Sequence, residues 1–514
     1  MKAFRLLALA TTAAAALLSA HQAEALTLKQ VLRHETGLFG KSAAEIVAFD
    51  SGTKRFYVVD GAEPAIDILQ LEGTSAAGAK WSEAGKLALA EDESPTSVAV
   101  HGGIIAAAVH GSKDQGRPGK VIFFDGDGKR LAEVETGSLP DMVTFSPDGK
   151  YVLTANEGEP TDTMDPEGSV SVIDISGGPA AAKETRIGFS GLTAADMKAK
   201  GVRMFPGKEP AADFEPEYVA VSADSKTAWV SLQEANAFAK IDIAGGTLID
   251  ILPLGLKDHS QPGNGMDPHD KDSAVDIAPT PVKGMYMPDA IAAFTAKGAT
   301  YVVSANEGDA RTEDERVEKV NLDAKALDGA QKKRLERLKV STIDGDTDGD
   351  GDIDVLHSYG ARSFSIWDEN GKLVYDSGDK IEKLTADQLG NKFNNNNDEN
   401  KGDSRSDDKG PEPEGVDVGV IGGRTYAFIG LERTGGIIMF DITNPAAPAY
   451  AGYENNRNFT SSLDFSLPSD LAVAGDLGPE GVKFIPADGN PLGVPLLAVA
   501  SEVSGTVTLY EIVK

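Results

Sequence analysis

Acidic side chains recur at two fixed places along this chain, and carboxylates repeated in register can bind hard cations or move protons. The first mark is a Pro-acid pair: Pro140-Asp141, Pro216-Glu217, Pro288-Asp289, Pro413-Glu414 and Pro479-Glu480. The second ends a β-rich stretch further on: Asn156-Glu157, Gln233-Glu234, Asn306-Glu307, Leu431-Glu432 and Ser501-Glu502. Two earlier copies are degenerate, Pro95-Thr96 with Val109-His110 and Ala44-Glu45 with Val59-Asp60. A repeat at this scale implies an array of like units, so the acids are expected to form a ring. Such a ring repels itself unless cations intervene. Arg311, Arg362, Arg405, Lys409 and Arg433 are candidate counter-charges. The plainer alternative is that each acid caps a sheet end by hydrogen bonding to backbone.

A second acidic cluster is compact. Asp344, Asp346, Asp348, Asp350, Asp352 and Asp354 alternate with Gly345, Gly349 and Gly351. Acids at every second position with glycine at the turns match the first half of a calcium loop, though the bidentate glutamate that ends an EF-hand is missing. A structural Ca²⁺ at Asp344, Asp346, Asp348, Asp350 and Asp352 is expected. The segment Val317–Leu338 before it reads as helical. A third stretch, 257–287, carries His259, Asp267, His269, Asp270, Asp272 and Asp276 at irregular spacing. It reads as a solvated lid rather than a transition-metal site. The polar run Asn394–Asn400 reads as a mobile part of the next loop.

The elements that must position these groups are strands. In the third copy Asp141–Ser146, Tyr151–Asn156, Ser169–Ile175 and Glu184–Phe189 parse as four antiparallel strands, the composition of a propeller blade. The last copy ends after three strands, and Leu26–His34 supplies a spare one. The expected fold is therefore an all-β, seven-bladed β-propeller closed by an N-terminal strand, a single domain over 26–514. Two separate β domains are the alternative. Insertions at 190–215, 257–287, 310–361, 379–411 and 454–478 all fall on the face that bears both acidic marks. Long loops gathered on one side of a rigid scaffold carry function.

Composition narrows the partners. The chain has 514 residues, 41% of them hydrophobic, which is ample for a core, and no Cys, so no disulfide. Residues 1–25 read as a signal peptide, with Lys2 and Arg5 before an apolar stretch and Ala23-Glu24-Ala25 at the cleavage site. A retained N-terminal anchor is the alternative. A periplasmic or secreted monomer is expected, with no membrane insertion after cleavage. The formal charge of −31 disfavours nucleic acid and favours divalent cations. No G-x-S-x-G elbow, Walker loop or H-E-x-x-H motif is present.

Several long motifs, among them YVVSANEGDART, DGDTDGDGDIDVLHSYGARSFSIWD and DSRSDDKGPEPEGVDVG, closely resemble the choice-of-anchor I family. The resemblance implies an exported propeller, and some members are described as atypical alkaline phosphatases. On that reading the activity is a metal-dependent phosphomonoesterase with Ca²⁺ and a further divalent or trivalent metal. Glu217, Glu234, Asp289, Glu307, Glu414 and Glu480 would be ligands, Arg311 or Arg405 would clamp phosphate, and Glu307 and Glu432 would stand among the catalytic groups. Ser501 departs from the Asn expected before the last acid. The alternatives are a non-catalytic calcium-stabilised scaffold that binds a surface or matrix ligand, and a lactonase or phytase-like hydrolase.

Overall fold

The computed structural model describes residues 24–113, 115–460, 462–465 and 467–514; most of the expected signal peptide, residues 1–23, lies outside them. Strands dominate, and among the described residues seven sheets have four strands each. In chain order their first strands are Val47–Asp50, Glu93–His101, Pro140–Phe145, Pro216–Val221, Ile291–Ala296, Pro413–Ile421 and Pro479–Ile485. Within each of the first six sheets the strands follow in sequence order, every neighbour antiparallel. This four-stranded meander is the architecture of a propeller blade. The seventh sheet takes its outer strand from the other chain end: Thr27–Glu35 pairs antiparallel with Thr506–Val513. Without this partner the C-terminal strand would expose an open edge.

The strands form where β-branched and aromatic residues alternate or run together between tight turns. Large aromatics fill the gaps between sheets. Trp229 and Trp367 are buried, and Trp367 meets Phe238 and Tyr286 edge-on, with ring centroids 6.0 and 5.0 Å away.

Four of the five Pro-acid marks prove to be β-bulges, while Pro288-Asp289 lies just ahead of the regular strand Ile291–Ala296. The register slips between Pro140 and Met142, Pro216 and Val219, Pro413 and Val416, and Pro479 and Val482. Proline cannot donate to the ladder, and the bulge leaves the acid after it unpaired and re-aimed. The residue before the proline is also unusual. Leu139, Met287 and Glu412 have φ of 46°, 42° and 52°, a left-handed conformation that side chains rarely adopt. The repeated turn is anchored by backbone: Glu157 N donates to Leu139 O (2.8 Å), Gly308 N to Met287 O (3.0 Å) and Glu432 N to Glu412 O (2.9 Å). One sharp turn thus ties the two acidic marks of a sheet together.

Two local expectations are corrected. Helix within Val317–Leu338 is confined to Gly329–Leu335, where Asp328 and Gln331 form a capping box. The chain ahead of it instead pairs as a strand, Asp314–Arg316 with Lys339–Ser341. The run Asn394–Asn400 is packed: Asn394, Asn395, Asn397 and Asn400 are buried. The buried Arg457 guanidinium donates to the carbonyls of Asn396 and Glu399, both at 2.7 Å. Amide side chains can bond backbone from either end, which is why a polar run orders here.

Candidate metal centre

A buried asparagine fixes the second acidic mark in two of the sheets. Asn156 accepts from Thr154 Oγ1 (2.7 Å) and donates to Ser169 and Ser171 (3.2 and 3.0 Å). Asn306 repeats this with Ser304 (2.8 Å), Ser363 (3.1 Å) and Ser365 (2.8 Å). The strand end is locked, and the next residue, Glu157 or Glu307, leaves it in a set direction. Sheet seven has Ser501 at this position. There Asp476 takes over the network, accepting from Thr506 (2.8 Å) and Thr508 (2.6 Å).

The acids do come together. Burial first, then Glu157, Glu234, Asp141 and Asp289, push the Glu217 carboxyl well above its ordinary range. Burial, Glu45, Glu502, Asp289 and Asp141 do the same to Glu480. Burial, Asp141 and Glu502 push Glu45 up to about 8, so the degenerate first copy joins the ring. Burial and Glu159 push Asp141 up to about 6. The second copy contributes Thr96 and His110 instead.

One point in this ring is tight. Carboxylate oxygens of Asp289, Glu307 and Glu414 lie within 4.8 Å of one another. Oxygens bound to Ca²⁺ at 2.3–2.6 Å can be no farther apart than about 5 Å, so the spacing fits that ion. The donors are all hard oxygens. Glu414 Oε2 is buried with no hydrogen-bond partner. Burial raises Asp289 and Glu414 well above the carboxylate range, and Glu307 adds to both. A proton or a cation must relieve this cluster.

Next to it lies a second trio, Glu307, Glu412 and Glu432, also within 4.8 Å. Here the protein supplies its own cations. Lys409 pairs with Glu307 (2.7 Å) and Glu412 (3.2 Å). Arg405 Nε donates to Glu412 (2.9 Å), and Arg433 Nε lies 3.2 Å from Glu412 and 3.0 Å from Glu432. Burial works against ionisation, yet Lys409, Arg405 and Arg433 hold Glu412 down to about 2. Asn397 Nδ2 also donates to Glu432 (3.1 Å). Three carboxylates face three cations, yet burial and Glu412 still push Glu432 well above its ordinary range, and its Oε2 has no hydrogen-bond partner.

The insertions carry these counter-charges and interlock. Thr193 caps the helix Ala194–Lys200, and Gly201 ends it at φ 93°. Just beyond, Arg203 joins Glu313 (2.6 Å) and Asp344 (2.9 Å), which ties 190–215 to 310–361. Arg311 reaches back to Asp213 and Glu215, both at 2.9 Å, with Glu234 3.9 Å away. The guanidiniums of Arg311 and Arg405 are therefore engaged by carboxylates rather than open as phosphate forks. Glu412, Asp213, Glu215 and Asn397 were not singled out from sequence. Each lies in an insertion or beside a mark, outside the period.

The aspartate loop is brought together only in part. Carboxylate oxygens of Asp346, Asp348 and Asp354 lie within 4.8 Å, as do those of Asp323, Asp352 and Asp354. Asp344 turns inward to Arg203 (2.9 Å) and accepts from Ser341 Oγ (2.6 Å). Asp350 accepts from Asp352 N (3.2 Å) and is in neither group. Gly345 is needed for close approach, since a Cβ there would sit 2.0 Å from Val355 O. The acids of 257–287 are spread apart. Asp270 pairs with Arg337 (2.9 Å), Asp276 with Arg334 (2.8 Å), and His259 is fully buried with Nδ1 2.7 Å from Asn264 O.

The choice-of-anchor I domain model matches residues 45–445. The chain belongs to the choice-of-anchor I family. Among characterised relatives it is 33% identical over 184 residues to Gigasin-3a of Magallana gigas, covering 35% of this chain and 64% of that protein. It is 27% identical over 295 residues to the mesenchyme-specific cell surface glycoprotein of Strongylocentrotus purpuratus, covering 49% of this chain and 38% of that protein. The chain thus spans less than two thirds of either relative. Solved structures similar to it include Kuenenia stuttgartiensis hydrazine synthase, with 13% identity, TM-score 0.46 and coverage of 92% of this chain and 96% of that one. Another is the Cps50 (Swd1) β-propeller domain of Myceliophteria thermophila, with 10% identity, TM-score 0.44 and coverage of 95% and 100%. Among the described residues no helix is long and apolar enough to cross a membrane.

Proposed function

We propose that this choice-of-anchor I protein is an exported, cell-surface-type propeller that holds divalent cations of the calcium class at its carboxylate ring. The observation that carries this is the Asp289–Glu307–Glu414 trio, whose oxygens lie within 4.8 Å with one orphaned acceptor among them. Glu217 and Glu480 flank it as further donors, and Glu234 stands behind with Arg311. The seven sheets act as blades of one closed ring, a single monomeric domain over 26–514. The first strand of sheet seven lies against that of sheet one, which supports closure. A surface location is supported by the family and by the name of the sea-urchin relative. The aspartate loop holds a separate structural Ca²⁺ through Asp346, Asp348 and Asp354.

A second reading, phosphomonoester hydrolysis at the ring, is favoured by one feature. Asp289, Glu307 and Glu414 are each partly exposed, so solvent and a small anion could approach the trio. A bound divalent cation would supply Lewis-acid charge to a phosphate oxygen and acidify water. The chain's own part is to hold Glu307 in place through Lys409 and Gln233, whose Nε2 donates at 3.0 Å. Arg311 lies among Asp213, Glu215 and Glu234, and Arg405, with Lys409 and Arg433, holds Glu412 ionised. Purified protein assayed on a chromogenic phosphomonoester, with EDTA or with added Ca²⁺, tests this. Calcium-dependent turnover lost in Glu414→Gln supports hydrolysis. Background rates in every condition, with calcium still bound, remove hydrolysis and leave a scaffold for a surface or matrix ligand.

A further inference from the structure

Behind the ring, the 379–411 insertion encloses a set of polar atoms that the protein itself does not satisfy. Glu382, on the helix Lys380–Leu389, is 1% exposed, Asn394 0% and Asp403 9%. Glu382 Oε2, Asn394 Oδ1 and both carboxylate oxygens of Asp403 are buried without a hydrogen-bond partner. These residues are neighbours. Asn394 Nδ2 donates to Glu382 Oε1 and to Ser406 Oγ, both at 3.0 Å. Those two bonds fix the amide orientation, so Oδ1 is the orphan. Ser406 N donates to Asp403 O (3.2 Å). The fully buried Asp267 lies near enough to both Glu382 and Asp403 to feel their charge.

Arg362 is the cation at this place. Its Nη1 donates to Glu382 Oε1 (2.8 Å) and Asp267 O (2.7 Å), and its Nη2 to the carbonyls of Ser406 and Asp408, both at 2.7 Å. Glu382 is the carboxylate that meets this guanidinium; Asp267 offers it a backbone carbonyl and turns its own carboxylate to Asp276 N (2.9 Å). Leaving several buried oxygens unpaired is costly, the more so for charged ones. Asn394 and Asp403 also hold φ of 45° and 70°. Strain of this kind persists where the surroundings over-determine it.

We propose that Glu382, Asn394 and Asp403 form a buried site for a divalent cation of the calcium class, separate from the ring and from the aspartate loop. All its donors are hard oxygens, which suit Ca²⁺ rather than a softer metal. The ion pins the insertion that delivers Arg405, Lys409 and Glu412 to the ring.

Ion counting on EGTA-stripped, Ca²⁺-reloaded full-length chain tests this, with Asp403→Asn and Glu382→Gln beside wild type. Each variant is expected to bind one equivalent fewer than wild type, and the loss to add to that of Asp289→Asn/Glu414→Gln. Unchanged stoichiometry in folded variants overturns the site. Hydrogen exchange on wild type covers the case in which the variants do not fold. Amides over 379–411 should gain at least tenfold protection on Ca²⁺ addition, in wild type and in the ring double variant alike. Protection that is the same with Ca²⁺ and with EGTA overturns the proposal. Loss of ring binding with this protection intact would sink only the ring reading.

Discussion

In part of the ring the two acidic marks differ in the charges that reach them. Three acids that end a second strand have basic neighbours: Glu307 meets Lys409, Glu432 meets the adjacent Arg433, and Glu234 faces Arg311, whereas the strongest charges acting on Glu157 are other carboxylates. In the first-strand bulges, the strongest charges acting on Asp141, Glu217, Glu414 and Glu480 are all other carboxylates. The bulge aims these side chains where neighbouring first strands crowd together, and among the described residues they make no ion pair, although Arg433 lies near enough to feel Glu414. At Gly415, in the bulge after Glu414, a Cβ would sit 1.9 Å from Glu480 O. The fold therefore gives Glu307, Glu432 and Glu234 basic neighbours and surrounds the bulge acids chiefly with carboxylates.

Removing a cation from beside the second-strand acids should have the largest effect. Lys409→Met leaves the Glu307 charge without its ion-pair partner in a largely buried place and should destabilise by about 3–5 kcal/mol in EGTA. Denaturant unfolding reads this, and an effect below about 1 kcal/mol would erase the distinction between the two sets of acids.

The carboxylates that crowd one another should make stability pH-dependent. Glu45 and Asp141 titrate near 8 and 6 in the folded chain, above their ordinary values of 4.5 and 3.8. Between these limits the folded state holds more protons than the unfolded one, so stability falls as pH rises. Without calcium the melting temperature should drop from pH 5.5 to pH 8.5. Calcium should then raise it more at pH 8.5 than at pH 5.5, and equal gains at both would contradict the assignment of charge.

The smallest effect belongs to the packing around Glu432. Asn397→Ala removes one hydrogen bond to Glu432 and should cost about 1–2 kcal/mol. Calcium affinity should change less than threefold, by calorimetry. A larger loss would place Glu432 among the ligands.

Much of this was legible in the sequence because it is periodic. The Pro-acid pairs marked the first strands, the strand pattern gave four-stranded sheets, and Leu26–His34 was recognised as a partner for the C-terminal strand. The bulge itself was not visible, since a register slip leaves no mark beyond the proline. Glu412, Asp213 and Asn397 were missed because insertions follow no period. Their partners are set by how loops fold over one another, and the same is true of Asp344, which Arg203 draws out of its loop. The asparagine run was misread because composition does not show whether amides find backbone to bond.

Ion content of stripped and reloaded protein at pH 8, compared between wild type and Asp289→Asn/Glu414→Gln, tests the central claim most directly. The account predicts a folded double variant that carries at least one calcium equivalent fewer per chain. Equal ion content in the two proteins would contradict it.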